Sequence, residues 1–136
     1  MNGYLLDTNV LSELLRKRPN ERVLERMGRV PSESLLTSSI SVTELRYGAA
    51  RHPQGDALWE RISREVLPRV NILPLGTVEA EKAGDLLALL ESRGAPIGLE
   101  DVLIGATAFI HHLTAVTRNV KHFARIEGLK VESWWE

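Results

Sequence analysis

The chain has 136 residues, 43% of them hydrophobic, and this length fits one compact domain over residues 1–136. It contains no cysteine, which excludes disulfides, thiolate nucleophiles and cysteine-based zinc sites. Seventeen basic and eighteen acidic residues give a net charge of −1, which argues against a protein that holds nucleic acid mainly by bulk electrostatics.

Short apolar segments typical of buried strands alternate along the chain with segments of helical periodicity. This alternation predicts an α/β domain with a mainly parallel central sheet of about five strands, flanked by helices. In chain order, the predicted strands are 4–6, 35–38, 72–75, 114–117 and 130–132.

The predicted helices fall between these strands. In chain order they begin near residue 10, form a pair over 41–69, surround residues 83–90, and cover 99–112 and 120–124. Pro53, Gln54 and Gly55 mark the break within the pair. The small residues Gly105, Ala106 and Ala108 predict that the helix over 99–112 lies close to the sheet.

Asp7 follows the first predicted strand, where an open parallel sheet presents its carboxyl edge to ligands. This position favours a functional role. A second interpretation is local, because Asp7 or Asn9 could cap the helix that begins near Val10.

Two further carboxylates begin helices in the same manner. Glu44 follows the second predicted strand, and its spacing from Ser41 also matches a capping box. Asp101 lies beside Glu100 in the first turn of its predicted helix, where the helix dipole favours negative charge. Each residue therefore has a structural as well as a functional interpretation.

The recurrence of acidic residues at three junctions favours function. Right-handed connections bring such junctions to one edge of an α/β sheet, where Asp7, Glu44 and Asp101 would repel one another unless a cation neutralised them. Oxygen ligands are those that Mg²⁺ prefers, usually one or two carboxylates completed by water and substrate phosphate. The arrangement therefore predicts phosphoryl chemistry at a divalent-metal site.

Four motifs in this order and spacing resemble the bacterial PIN-domain toxins of the VapC and FitB type. They are LLDTNVLS at 5–12, TELRYG at 43–48, DVLIGA at 101–106 and TRN at 117–119. The resemblance spans nearly the whole chain and implies a PIN-like three-layer fold. It also implies a Mg²⁺- or Mn²⁺-dependent endoribonuclease, usually dimeric, that a cognate antitoxin protein keeps inactive.

The resemblance maps the three family carboxylates onto Asp7, Glu44 and Asp101. The metal would lie between Asp7 and Asp101, with Glu44 as a further ligand or acting through a bound water. At a fourth polar position, where many family members have aspartate, this chain has Asn119. Asn119 could orient a metal-bound water or cap the following helix, and Thr117 could bind a carboxylate or merely end its strand.

The resemblance and the sequence also give expectations about the partners of the protein and its location. RNA would be the substrate, and operator DNA would be contacted only through the antitoxin. Arg16, Lys17, Arg18, Arg46 and Arg51 could form a basic rim, or could be ordinary solvated helix surface. No signal peptide or membrane span is visible, so we expect a cytoplasmic protein without membrane contact.

Two observations bear on assembly and on an alternative function. The apolar stretch 35–42 needs core or interface cover and, with the resemblance, predicts a homodimer. An alternative to the enzyme is a PIN-fold binding module whose main role is in a DNA-binding repressor complex with its antitoxin.

Overall fold

The structure, a computed structural model, describes residues 3–136. At its centre are five strands: β1 (Tyr4–Leu6), β2 (Leu35–Ser38), β3 (Asn71–Leu73), β4 (Thr114–Val116) and β5 (Val131–Glu132). They lie in the order β3-β2-β1-β4-β5, and every neighbouring pair is parallel. The predicted α/β class is confirmed, with a sheet that is wholly parallel in the described part of the chain.

Helices cover both faces of this sheet. In chain order they are α1 (Thr8–Glu13), α2 (Glu21–Arg29), α3 (Ser39–Arg51), α4 (Gly55–Arg61), α5 (Thr77–Ser92), α6 (Leu99–Ile110) and α7 (Val120–Phe123). A π-helical turn, Ile62–Val66, and a 3₁₀ turn, Leu67–Arg69, follow α4. Within residues 3–136, no helix combines the length and apolar character needed to cross a bilayer.

The central strand β1 contributes side chains to a hydrophobic core on each face of the sheet, because successive side chains of a strand point to opposite faces. Leu6 packs with Val23 of α2 and Leu45 of α3. Leu5 packs on the other face, with Ile104 of α6. Helix α5 packs against α6, so three layers result and both faces of the sheet are covered.

The predicted strands 4–6 and 35–38 match β1 and β2 residue for residue. The third was predicted over 72–75, but β3 ends at Leu73, since Pro74 has no N–H to donate to a sheet ladder. The last two strands are each one residue shorter than predicted. The helix pair is confirmed, but its break lies at 52–54, one residue earlier than predicted, because Gly55 already begins α4.

The sequence interpretation missed helix α2. Asn20 caps it, because its side-chain oxygen accepts hydrogen bonds from the backbone N–H groups of Arg22 and Val23. Val23 and Met27, four residues apart, bury the same side of the helix. The capping residue and this spacing were both available as sequence signals.

The small residues of α6 allow close packing in different directions. Ala108 packs against Ala115 of β4, as predicted for an approach to the sheet. Ala106 instead packs towards α5. Gly105 faces the segment after α7, because a Cβ there would collide with the side chain of Ile126. The predicted approach to the sheet is therefore correct for Ala108 only.

The apolar stretch 35–42 is covered within the chain. Leu35 is buried in the first core, and Leu36 and Ile40 pack against the second. This stretch therefore gives no support to a subunit interface.

We expect Gly105→Ala to destabilise the protein by about 1–2 kcal/mol, because Ile126 is only 2% exposed and has little room to move. Gly84→Ala in α5 is the matched control, since nothing lies within 4 Å of its added Cβ. That change should stabilise by up to about 1 kcal/mol through helix propensity. Urea denaturation measures both, and equal stability of the two variants would contradict the packing assigned to Gly105.

Candidate active site

Chain segments from separate parts of the sequence meet at one edge of the sheet. The carboxyl ends of β1, β2 and β4 lie there because the strands are parallel. A cleft of about 280 Å³ opens at this edge, which we call the acidic cleft, lined by Asp7, Thr8, Asn9, Ser12, Glu44, Asp101 and Asn119. All four predicted site residues therefore border one cleft.

Asp7 lies directly after β1 and is only 5% exposed. One carboxylate oxygen accepts a hydrogen bond from the backbone N–H of Thr8 at 2.8 Å, so Asp7 caps α1. The other accepts from the hydroxyl of Thr117 at 2.7 Å and from the amide of Asn9 at 3.2 Å. Asp7 is thus a helix cap and a cleft residue at once, and the two sequence interpretations do not compete.

Thr117 connects the end of β4 to this carboxylate. Its side chain is fully buried, and its hydroxyl also accepts a hydrogen bond from the backbone N–H of Asn119 at 2.9 Å. Of the two roles that the sequence left open, binding a carboxylate is the one observed. Thr117 therefore fixes the orientation of Asp7 relative to the chain segment that carries Asn119.

Burial raises the pKa of Asp7 from 3.8 to about 6. The hydrogen bonds from Thr117 and Thr8 oppose this shift because they favour the carboxylate. The negative charges of Asp101 and Glu44 raise the pKa further. Ionised Asp7 is therefore unfavourable in the folded protein, and a cation in the acidic cleft would relieve that cost.

Glu44 does not belong to a capping box, so this interpretation is wrong. The N-cap of α3 is Ser38, whose hydroxyl accepts from the backbone N–H of Ser41 at 3.3 Å. Because α3 begins at Ser39, Glu44 lies in its second turn, too far along to cap. Its carboxylate instead accepts a hydrogen bond from the hydroxyl of Thr8. Two serines three residues apart made the start of the helix ambiguous in the sequence.

Asp101 lies in the first turn of α6, as predicted, and its side chain is partly exposed. Its Oδ2 atom lies 3.3 Å from Nδ1 of His122, which belongs to α7. No sequence motif indicated His122. Thr8 and Asn9 were also not predicted as site residues, although both stand in the motif at 5–12.

Asn119 occupies the N-cap position of α7, but its side chain makes no capping hydrogen bond. The capping interpretation is thus correct for its backbone position and wrong for its side chain. The side-chain amide borders the acidic cleft without a structural task in the helix.

The donor atoms of the acidic cleft suit a hard divalent cation. Carboxylate, hydroxyl and amide oxygens dominate its lining. Within residues 3–136, however, no three acidic or histidine side chains are grouped closely enough to hold one ion. The arrangement fits an ion held directly by one or two carboxylates, with water completing its coordination.

The predicted basic rim does not line this cleft. Its five members were Arg16, Lys17, Arg18, Arg46 and Arg51, and none is among the lining residues. Arg46 lies over the ring of Trp59 at 5.0 Å, and Arg51 over that of Tyr47 at 5.1 Å.

The family model for the PIN domain matches residues 4–129. Among known proteins, the chain is 36% identical over 137 residues to VapC ribonuclease Y4jK of Sinorhizobium fredii, covering 97% of each. It is 36% identical over 135 residues to toxin FitB of Neisseria gonorrhoeae, covering 96% of this chain and 97% of that protein.

Solved structures agree in fold. FitAcB from Neisseria gonorrhoeae superposes with a TM-score of 0.89 at 35% identity, covering 98% of this chain and 99% of that one. DNA-bound VapBC from Salmonella typhimurium superposes with a TM-score of 0.88 at 30% identity, with 98% and 99% coverage.

We expect Asp7→Asn to stabilise the protein in chelator at neutral pH. Because the folded-state pKa exceeds the unfolded value, the contribution of Asp7 to stability is full below about pH 4 and is lost as the pH rises through about 6. Asparagine imitates the protonated form and avoids that loss, a difference of about 3 kcal/mol at pH 7 for a pKa raised from 3.8 to about 6.

Urea denaturation in EDTA between about pH 4 and pH 7 measures this difference. Asp85→Asn, an exposed change on α5, is the control and should leave the native pH profile unchanged. If the free energy of unfolding of Asp7→Asn falls between these pH values as much as that of the native protein, the burial of ionised Asp7 does not cause the fall.

Proposed function

Because this chain belongs to the PIN-domain family, we propose that it is the toxin component of a toxin–antitoxin pair and a divalent-metal-dependent endoribonuclease. The observation that carries this proposal is the acidic cleft, where Asp7, Glu44, Asp101 and Asn119 converge from four separate chain segments. The names of its relatives, VapC ribonuclease and toxin FitB, support the same activity.

In this proposal, Asp7 and Asp101 hold Mg²⁺ or Mn²⁺, and Glu44 is a further ligand or acts through a water. When bound, the cation neutralises charge on the phosphodiester oxygens and acidifies a water for in-line attack. Thr117 holds the carboxylate of Asp7 in one orientation by its 2.7 Å hydrogen bond. The free amide of Asn119 positions the attacking water.

The partners are proposed from the relatives' complexes. FitAcB and DNA-bound VapBC support a cognate antitoxin protein as the partner, with operator DNA contacted through it. Pairing of two copies of this chain is also a proposal, and sedimentation at tens of micromolar, a range set by typical affinities, tests it. A monomer under those conditions would contradict pairing.

The DNA-bound complexes of relatives also favour the alternative, a binding module that acts mainly in a repressor complex. A Mg²⁺ and Mn²⁺ titration on labelled structured RNA, with a chelator control, distinguishes the two. Cleavage that requires the metal supports the enzyme. Unchanged RNA across the titration, with antitoxin binding intact, supports the binding module.

We expect Glu44→Gln to lower cleavage by about two orders of magnitude or more while stability changes by less than about 0.5 kcal/mol. Glutamine keeps an oxygen that can accept the Thr8 hydroxyl bond, and the Ser38 cap of α3 is untouched. Cleavage rates across a Mn²⁺ titration and a metal-free melting curve measure the effects.

The control for this variant is Glu81→Gln, an exposed change on α5 that should leave cleavage at the native rate. Full cleavage by Glu44→Gln at low Mn²⁺ would reduce the metal site to Asp7 and Asp101.

Asp101→Asn should abolish cleavage and growth inhibition with little change in melting temperature. The side chain is nearly isosteric and can still accept a hydrogen bond at the start of α6, but it loses the charge that attracts the cation. Glu100→Gln, one position away and fully outside the cleft lining, is the matched control and should stay active. An active Asp101→Asn enzyme would remove Asp101 from the site.

We also expect a cationic side chain of the antitoxin to occupy the acidic cleft, since Arg or Lys can replace the charge of the metal among three carboxylates. Inhibition should then weaken as Mg²⁺ rises. Inhibition constants of the co-purified antitoxin measured from low to saturating Mg²⁺ test this. A constant that does not change, with the antitoxin bound elsewhere, would contradict it.

A further inference from the structure

A second groove opens beside the acidic cleft, and Asn119 borders both. It has a volume of about 570 Å³ and is formed by the segment around α7 and by the C-terminal residues after β5. We call it the basic groove and define it by Arg118, Lys121, Arg125 and Trp135. His122, which contacts Asp101, also lines it, so the two sites are continuous.

The cations of the basic groove are not neutralised by the protein. Arg118, Lys121 and Arg125 are exposed, and none lies within ion-pair distance of a carboxylate in the described part of the chain. Six arginines elsewhere lie 3.5 Å or less from a carboxylate. Arg125 donates only to the carbonyl of Pro96, and the acidic residue that lines the groove is Glu136.

Trp135 gives the basic groove a planar aromatic surface. Its indole N–H faces a carboxylate oxygen of Glu13 at 3.4 Å, and Glu13 is itself only 3% exposed. The guanidinium of Arg118 lies over the indole, 5.4 Å from the ring centroid. Proteins stack the bases of single-stranded RNA on such aromatic rings and guanidinium planes.

We propose that the basic groove binds single-stranded RNA next to the scissile bond, with Lys121 and Arg125 on the phosphates and one base stacked on Trp135 and Arg118. This assignment rests on the proposed ribonuclease function. A chain with a net charge of −1 has no bulk attraction for a polyanion, so local cations must hold the substrate against the acidic cleft. A cationic antitoxin segment suited to the acidic cleft would be repelled here, which favours RNA as the occupant.

Binding without cleavage tests the basic groove separately from catalysis. The probe is a labelled single-stranded oligoribonucleotide of about twelve nucleotides, followed by fluorescence anisotropy in EDTA over a series of salt concentrations. For Lys121→Gln/Arg125→Gln we expect Kd to rise about tenfold or more at low salt. The slope of log Kd against log salt should fall by about 1.4, which is about 0.7 for each lost phosphate contact.

The matched control is Arg51→Gln/Arg69→Gln, which removes two exposed cations remote from β5. It should keep the native Kd and slope. Trp135→Leu should raise Kd by at least about fivefold, and Trp135→Phe should restore most of the binding because the ring remains. Melting curves of each variant check that folding is intact.

The same variants in a Mn²⁺ cleavage assay should show a raised KM and an unchanged kcat. If the native protein binds no oligonucleotide, or both double variants behave alike, the basic groove does not bind RNA. If the groove variants lose only antitoxin binding, its occupant is the antitoxin, and the proposal is overturned. Native protein that binds RNA in the basic groove but never cleaves it would instead overturn the ribonuclease function.

Discussion

The structure around the acidic cleft depends on one buried carboxylate, that of Asp7. Asp7 must end β1, cap α1 and face the acidic cleft, and it does so at 5% exposure. Its two oxygens accept hydrogen bonds from Thr8, which begins α1, and from Thr117, which follows β4. Asp101 and Glu44 add repulsion to the cost of burial. Ionised Asp7 is therefore costly in the folded protein, and a bound cation would offset that cost.

Acidic and basic side chains are separated on the surface around Asp7. Although the net charge of the chain is only −1, negative side chains line the acidic cleft and positive side chains line the adjoining basic groove. In the proposed function, the carboxylates attract the metal ion and the neighbouring cations attract the RNA phosphates. Each attraction is local and does not depend on the net charge of the protein. Asn119 and His122 lie where the two surfaces meet.

The C-terminal residues connect this surface to the hydrophobic core. Trp134 is fully buried, and its ring meets Tyr4 of β1 edge-on at 5.4 Å between centroids. Its neighbour Trp135 bonds to Glu13, whose pKa is lowered. Desolvation opposes that lowering, but hydrogen bonds from the Asn20 backbone and Arg16 outweigh it. Glu13 thus connects the end of α1 to Trp135 of the basic groove.

The sequence by itself determined the fold class, most of the strands and the carboxylates that share a cleft, because hydrophobic periodicity and strand-to-helix junctions are local features. It could not determine where α3 begins, since Ser38 and Ser41 are equally good caps until tertiary packing selects one. Arg118, Lys121 and Arg125 stand close together in the sequence, but nothing in it placed Trp135 beside them. Only tertiary packing brings Trp135 to Arg118 and His122 to Asp101. Only the tertiary structure decided that Asp7 is buried, and burial is the physical cause of its raised pKa.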